Sequence, residues 1–363
     1  MKQNMVKLGV VGLDRGRWMI SEVIKQDNVQ LTAICDKNPE RLAIGKQHFE
    51  DRGVENLQCY ADYDEFLRSD VEAVVIATPA TDHVSFAVKA LEAGKHVLSE
   101  IPTIHTLEEA KILRAAVKAH PNQKYMAGEN CCYWAFIRMW KQMREDGKFG
   151  DPLYAEAEYI HSRDYREIKA EDYPDDYWRT NFPAICYLTH SLGPLLYIMD
   201  DYCVSVSAMS PDIQYTPYRP AVTNGVALLK TAKGAVIRIL ICFDAFVGYD
   251  HNYTLIGTRG SIETDRNTVV RAAHSYARLS DVPGSIDAKI EIPVTARFPN
   301  EPKTGHDGAD QKMMSDFIRC IVEDTEPTVD VDLGIRMSLP GIVAAESAAQ
   351  GGKLMEIPDI TTW

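Results

Sequence analysis

The first third of the chain alternates two kinds of segment, and that alternation leaves few folds open. Four short apolar runs, "KLGVVG", "VQLTAICD", "VEAVVIATP" and "KHVLSEIP", are too short for helices and show no polar face. Between and after them lie "RWMISEVIKQ", "NPERLAIGKQHFE", "TDHVSFAVKALEAG" and "TLEEAKILRAAVKAH", all with helical spacing. The punctuation agrees. Asn38 stands as an N-cap with Pro39 at the first helical position, Gly94 closes the third helix, and Thr106 and Glu109 have capping-box spacing. Continuous apolar strands alternating with helices mean a parallel sheet covered on both faces. The first domain is expected over residues 1–125.

After that the pattern changes. "CCYWAFIRMWKQMREDGKFG" reads as one long helix, and "LYAEAEYIHSR" alternates like a strand with one wet face. A polar, aromatic loop, "DYREIKAEDYPDDYWRTNFP", leads to the helical "CYLTHSLGPLLYIMD". The alternating runs "CVSVSAMS", "NGVALLKT", "GAVIRILICF", "HNYTLIGT" and "GSIETDR" then predict a large, mostly antiparallel open sheet. The second domain, α+β, is expected over 126–363, with the last ~30 residues able to pack back on the first. An open sheet needs cover, which predicts a homo-oligomer.

Composition removes some functions. A net charge of −13 argues against a nucleic-acid partner. No apolar run approaches a membrane span, and "MKQNMVKLGVVG" has no signal-peptide cleavage pattern, so a cytoplasmic protein is expected. The eight cysteines form no C-x-x-C pair and none has zinc-ligand spacing with a histidine; they read as reduced, mostly buried thiols, with no metal expected.

The first strand runs into "GVVGLDRG". Gly9, Gly12 and Gly16 at a strand-to-helix turn let backbone amides approach a pyrophosphate, as in a Rossmann-type domain. The second strand ends in Asp36, 20 residues after Gly16, where a carboxylate can accept bonds from an adenosine ribose and repel a 2′-phosphate. That favours NAD. The glycine pattern departs at Asp14 and Arg17. A carboxylate facing a pyrophosphate repels it, so either Arg15 or Arg17 compensates, or the turn aims Asp14 at solvent.

The segment "VVIATPATDHVSFAVKALEAGKHVLSEIP" resembles the hallmark of the glucose–fructose oxidoreductase, inositol dehydrogenase and rhizopine-catabolism (Gfo/Idh/MocA) family, and the resemblance covers nearly the whole chain. It implies that Ala77, Thr78, Pro79 and His83 lie along the nicotinamide half of the cofactor, and that Glu100 and Pro102 are the ends of the family's E-K-P motif. The middle position, a catalytic lysine in the family, is Ile101. The family's D-x-G-x-H motif falls on Cys186 to His190, with His190 present and the aspartate replaced by Cys186.

"SEIPT", "GENCCYWA", "YAEAEYIH" and "CYLTHSLGP" together resemble the branch that includes NAD-dependent α-N-acetylgalactosaminidases. Its E-N-C-C-Y motif places Asn130 at the cofactor and Tyr133 at the site. Its Y-P-T-H motif falls on Tyr187 and His190, with Leu188 in place of proline. "TGHDGAD" resembles the later G-H-G-G-x-D segment and puts His306 near the sugar, with Asp307 where the family has glycine. His161 and the aromatic loop, Trp178 and Arg179 included, either line a sugar site or pack. Packing alone is also open to Tyr133, Tyr187 and His190.

The resemblance implies an NAD-dependent oxidoreductase acting on a sugar or glycoside, oxidising its C3 hydroxyl to a ketone. His190 is the expected base, with Tyr187 or Tyr133 relaying. A separate lyase would then act on the keto product. One alternative is a redox-neutral glycosidase that oxidises, eliminates, hydrates and re-reduces, with Tyr133 taking the C2 proton. Another is a non-catalytic cofactor-binding homologue.

Overall fold

The computed structural model describes residues 5–161, 169, 171, 177–213, 221–266, 274–294 and 305–363. The chain divides into two units: Met1–Asn130 with Pro302–Ile335, and Cys131–Glu301 with Arg336–Trp363.

In the first unit, β1 (Val6–Val11), β2 (Val29–Cys35), β3 (Gln58–Tyr60), β4 (Ala73–Ile76), β5 (His96–Ser99) and β6 (Tyr125–Ala127) form one parallel sheet in the order β3-β2-β1-β4-β5-β6. The order reverses between β1 and β4, which opens a crevice at the carboxyl ends of those strands. All four residues of β4 are buried, which explains why its sequence is a continuous apolar run. The helices are α1 (Gly16–Ile20), α2 (Pro39–Glu50), α3 (Tyr63–Leu67), α4 (His83–Glu92) and α5 (Leu107–Ala119). Asn38 caps α2 by accepting from the amides of Glu40 and Arg41, and Thr106 and Glu109 close the capping box of α5. The first helix is shorter than "RWMISEVIKQ" predicts and gives way to a 3₁₀ turn at Val23–Lys25. Ser21 accounts for this: its hydroxyl bonds back to the Arg17 carbonyl and contacts His48 Nε2 at 2.8 Å, an alternative to continuing the helix.

In the second unit, the predicted long helix at 131–150 is split. A 3₁₀ turn spans Asn130–Tyr133, Trp134 is extended, and α6 covers Ala135–Glu145. Packing overrides propensity there, because the Trp134 indole lies against Phe136 and His251. The strands are β7 (Pro152–His161), β8 (Cys203–Met209), β9 (Asn224–Thr231), β10 (Val236–Cys242), β11 (Tyr249–Gly257), β12 (Gly260–Thr264), β13 (His274–Leu279), β14 (Ile290–Pro293) and β15 (Met355–Glu356), with α7 (Thr189–Met199) on one face. They form a nine-stranded sheet, β14-β13-β12-β11-β7-β10-β9-β8-β15, antiparallel except for the β7–β10 pair.

Two helices remain, α8 (Ala309–Glu323), which packs on α1 in the first unit, and α9 (Val331–Ala349). Residues 302–335 belong to the first unit, and β15 pairs with β8 in the second sheet. No helix among the described residues is long and apolar enough to cross a membrane.

Candidate active site

In the first unit, the candidate cofactor region is the turn after β1. Gly12 has φ +85°, and a Cβ there would stand 2.4 Å from the Ala77 carbonyl oxygen, so only glycine lets β1 turn this close to the end of β4. The Leu13 amide donates to Asp36 Oδ2 at 2.9 Å and the Asn38 amide to Asp36 Oδ1 at 2.9 Å. Asp36 therefore ties the glycine turn to the end of β2, a role its sequence position did not disclose. Asp14 points away from the protein, 74% of its side chain exposed, with Arg17 Nη1 at 4.0 Å.

Arg15 is committed to carboxylates. Its Nε donates to Glu100 Oε1 at 2.9 Å, and its two terminal nitrogens donate to the two oxygens of Asp310, each at 2.8 Å. Asn130 Nδ2 also donates to Asp310 Oδ1 at 2.9 Å, and His306 Nδ1 lies 2.9 Å from Asp310 Oδ2. Burial pushes the Asp310 carboxyl up, but hydrogen bonds from His306 and Arg15 and the charge of Arg15 outweigh it and hold the group well below the usual carboxylate range. His306, expected at the sugar, is thus found in the first unit beside a cavity of about 260 Å³ that Arg15 and Asp310 also line. Just before α8, His306, Asp307 and Gly308 all take left-handed φ, at +48°, +55° and +83°.

At the end of β4, the Thr78 hydroxyl is buried with no partner among the described residues. His83 is 2% exposed, with Nδ1 3.0 Å from the Pro102 carbonyl and Nε2 2.9 Å from that of Thr78. It braces the two loops from inside. Pro79 starts the turn that leads into α4. Ile101 is buried, its amide donates to Glu100 Oε2 at 3.1 Å, and the Ile101–Pro102 peptide is cis.

A separate aromatic cluster lies in the second unit. On β7, Tyr159 and His161 are two residues apart and so share the sheet's inner face. Register places them opposite His251 and Tyr249 of β11. His251 stacks on Tyr159 at 4.5 Å, and Tyr249 Oη lies 3.1 Å from His251 Nε2. The 3₁₀ turn Ala184–Tyr187 and the first turn of α7 bring Tyr187 and His190 over that face. His190 meets Tyr159 edge-on at 5.0 Å and Tyr187 at 5.4 Å. Its Nδ1 lies 3.2 Å from Cys131 Sγ, and its backbone carbonyl accepts from the Tyr253 hydroxyl. Trp178 and Arg179 lie beside them, the Arg179 guanidinium 4.8 Å from the Trp178 ring centre and 5.1 Å from that of Tyr187. The rest of "DYPDDYWR", 172–176, lies outside the described residues. Tyr133 is buried at the end of the Asn130–Tyr133 turn.

Burial sorts the proton carriers. It pushes the Tyr159 phenol far above its ordinary value, so Tyr159 stays protonated at neutral pH. It pushes the Cys186 thiol up to about 12, so the residue in the aspartate's place carries no charge either.

A model described as an oxidoreductase family with an NAD-binding Rossmann fold matches residues 6–129, and one described as the GFO/IDH/MocA C-terminal domain matches 137–263. The chain belongs to the Gfo/Idh/MocA family. Residues 221–363 also match the C-terminal domain model of glycosyl hydrolase 109. A glycosyl hydrolase family 109 protein of Solibacter usitatus is 29% identical over 98% of this chain and 88% of its own length. An oxidoreductase domain protein from Kribbella flavida has the same fold at TM-score 0.82 and 18% identity, over 98% of this chain and 100% of that one. A levoglucosan dehydrogenase in complex with NADH and levoglucosan does so at TM-score 0.80 and 19% identity, over the same shares.

The first unit of this Gfo/Idh/MocA protein is an NAD-binding Rossmann domain. Its residues fit a dinucleotide: the Thr78 hydroxyl awaits a partner, and the amides of Asp14 and Arg15 have no protein acceptor among the described residues. Sequence reasoning missed Asp310, Tyr159, His251 and Cys131 as site residues. Polar residues at the inward positions of "YAEAEYIH" and "HNYTLIGT" were the available signal for Tyr159 and His251.

Proposed function

We propose that the protein oxidises a sugar or glycoside with NAD⁺, converting the C3 hydroxyl to a ketone, and that a separate lyase consumes the product. The carrying observation is His190. It sits among Tyr159, Tyr187 and His251 on the sheet's inner face, where burial holds the Tyr159 phenol protonated. Imidazole is the side chain suited to accept a proton near neutral pH. Bound NAD⁺ supplies the hydride acceptor. His190 takes the hydroxyl proton, Tyr187 and Tyr159 present rings to the apolar faces of a sugar, and Arg179 borders the pocket. Ile101 is buried and carries no proton, so it cannot take the lysine role of other family members.

The match to the glycosyl hydrolase 109 C-terminal domain favours a second reading, a redox-neutral glycosidase in which Tyr133 removes the C2 proton. One experiment separates the two. The protein is incubated with NAD⁺ and a panel of aryl glucosides and galactosides, and NADH absorbance and released phenol are read together. NADH without phenol supports the dehydrogenase. Phenol without NADH supports the glycosidase, and neither signal on any sugar overturns both.

The homo-oligomer belongs to the same proposal. The outer face of the second sheet carries Val226, Leu228 and Val236, exposed apolar residues beside the Glu156–Arg238 and Glu158–Arg266 ion pairs.

A further inference from the structure

A histidine acts as a base at one ring nitrogen only when the other carries the proton, and the partner of that other nitrogen decides the tautomer. In this protein a sulfur stands beside one of them: Cys131 Sγ lies 3.2 Å from His190 Nδ1. We propose that Cys131 is the positioning residue for His190, its sulfur accepting the Nδ1 proton so that Nε2 is the nitrogen that accepts a proton from the substrate. The inference rests on the reading of His190 as the base.

Both partners are held. Cys131 is buried in the Asn130–Tyr133 turn, and the next residue after that turn, Trp134, is packed against Phe136 and His251. The His190 backbone is tied by the Tyr253 hydroxyl and its ring is fixed edge-on to Tyr159 and Tyr187. Cys186, which stands in the place of the family's aspartate, shows no contact with the His190 ring among those described.

Sulfur is a weak acceptor. It selects a tautomer without holding the imidazolium as firmly as a carboxylate would, because it brings no full negative charge. That suits a base that must give its proton back when the reaction runs in reverse. The titratable or charged groups described around His190 include Tyr159 from β7, Tyr187 ahead of α7, His251 and Tyr253 from β11, and Arg179 over Tyr187. Glu129, buried, precedes Cys131 by two residues in the chain.

The test is nitrogen NMR of the full protein with ¹⁵N-labelled histidine, using wild type, Cys131→Ala, Cys131→Ser and Glu129→Gln, with His190→Gln to assign the signal. Wild type is expected to show the Nδ1–H tautomer. Cys131→Ala is expected to move it to Nε2–H, and Cys131→Ser, which keeps an acceptor, to restore it. In steady-state oxidation Cys131→Ala should lower kcat about tenfold with KM little changed and should shift the acid limb of the pH profile, while Cys131→Ser stays near wild type. An Nε2–H tautomer in wild type, or an unchanged tautomer and titration in Cys131→Ala, overturns the proposal. So does a shift produced by Glu129→Gln and not by Cys131→Ala. A tautomer shift in a protein that oxidises no sugar supports the positioning role and overturns only the sugar reading.

Discussion

Replacing Asp310 by asparagine keeps its shape and removes its charge. In the native protein this carboxylate is 4% exposed and receives Arg15 through two bonds of 2.8 Å, with Asn130 and His306 at 2.9 Å. Breaking a buried ion pair costs roughly 3–5 kcal/mol, because the surviving charge stays buried. Arg15 is 31% exposed and keeps Glu100, so the lower end, about 3 kcal/mol, is expected. For a unit of this size that is a fall in Tm of about 6–12 °C, read by calorimetry at pH 7. The pH dependence carries the sign. The folded carboxyl titrates below its unfolded value, so its contribution is complete above about pH 4 and declines as pH falls further. The gap between wild type and Asp310→Asn should therefore be full at pH 7 and narrow in acid. A gap under about 2 °C at pH 7, or one that stays constant into acid, would refute the buried pair.

Four other outcomes are expected. Asp14→Gly should leave the Kd for NAD⁺ within about twofold by fluorescence titration, because the carboxylate faces solvent; a tenfold gain would mean that it faces the phosphates. Asp307→Gly should raise thermal stability by up to about 1 kcal/mol, because glycine takes a φ of +55° without strain; a loss would show that the Asp307 side chain contributes there. Thr106→Ala should cost about 1 kcal/mol in urea unfolding through loss of the α5 cap. Leu228→Lys, at a residue 52% exposed on the outer sheet face, should lower the sedimentation coefficient if that face joins two copies; an unchanged, multimeric value would move the interface elsewhere.

What could be read in the sequence was local or periodic. The caps at Asn38 and Thr106 and the β4 run follow from chemistry within a few residues, and each appears as expected. The mostly antiparallel second sheet follows from alternation, but the parallel β7–β10 pair does not, since no short-range signal specifies which distant strands meet. The interrupted helix at Trp134 shows the same limit, because the contact that extends this residue comes from β11, more than a hundred residues on. His190 and Tyr187 were named by motif, and the structure brings their ring centres within 5.4 Å. Cys131 was not, because its spacing resembles a buried thiol until α7 brings an imidazole to it. Asp310 was hidden for a similar reason: its arginine partner is 295 residues away.

The clasp on Arg15 has a consequence for how salt acts on cofactor binding. The guanidinium at the phosphate turn is already neutralised by two carboxylates, so this cluster offers an incoming dinucleotide no net positive charge. Retention then falls to short-range amide dipoles and shape, which salt screens little. The affinity for NADH should therefore change little with ionic strength at this cluster.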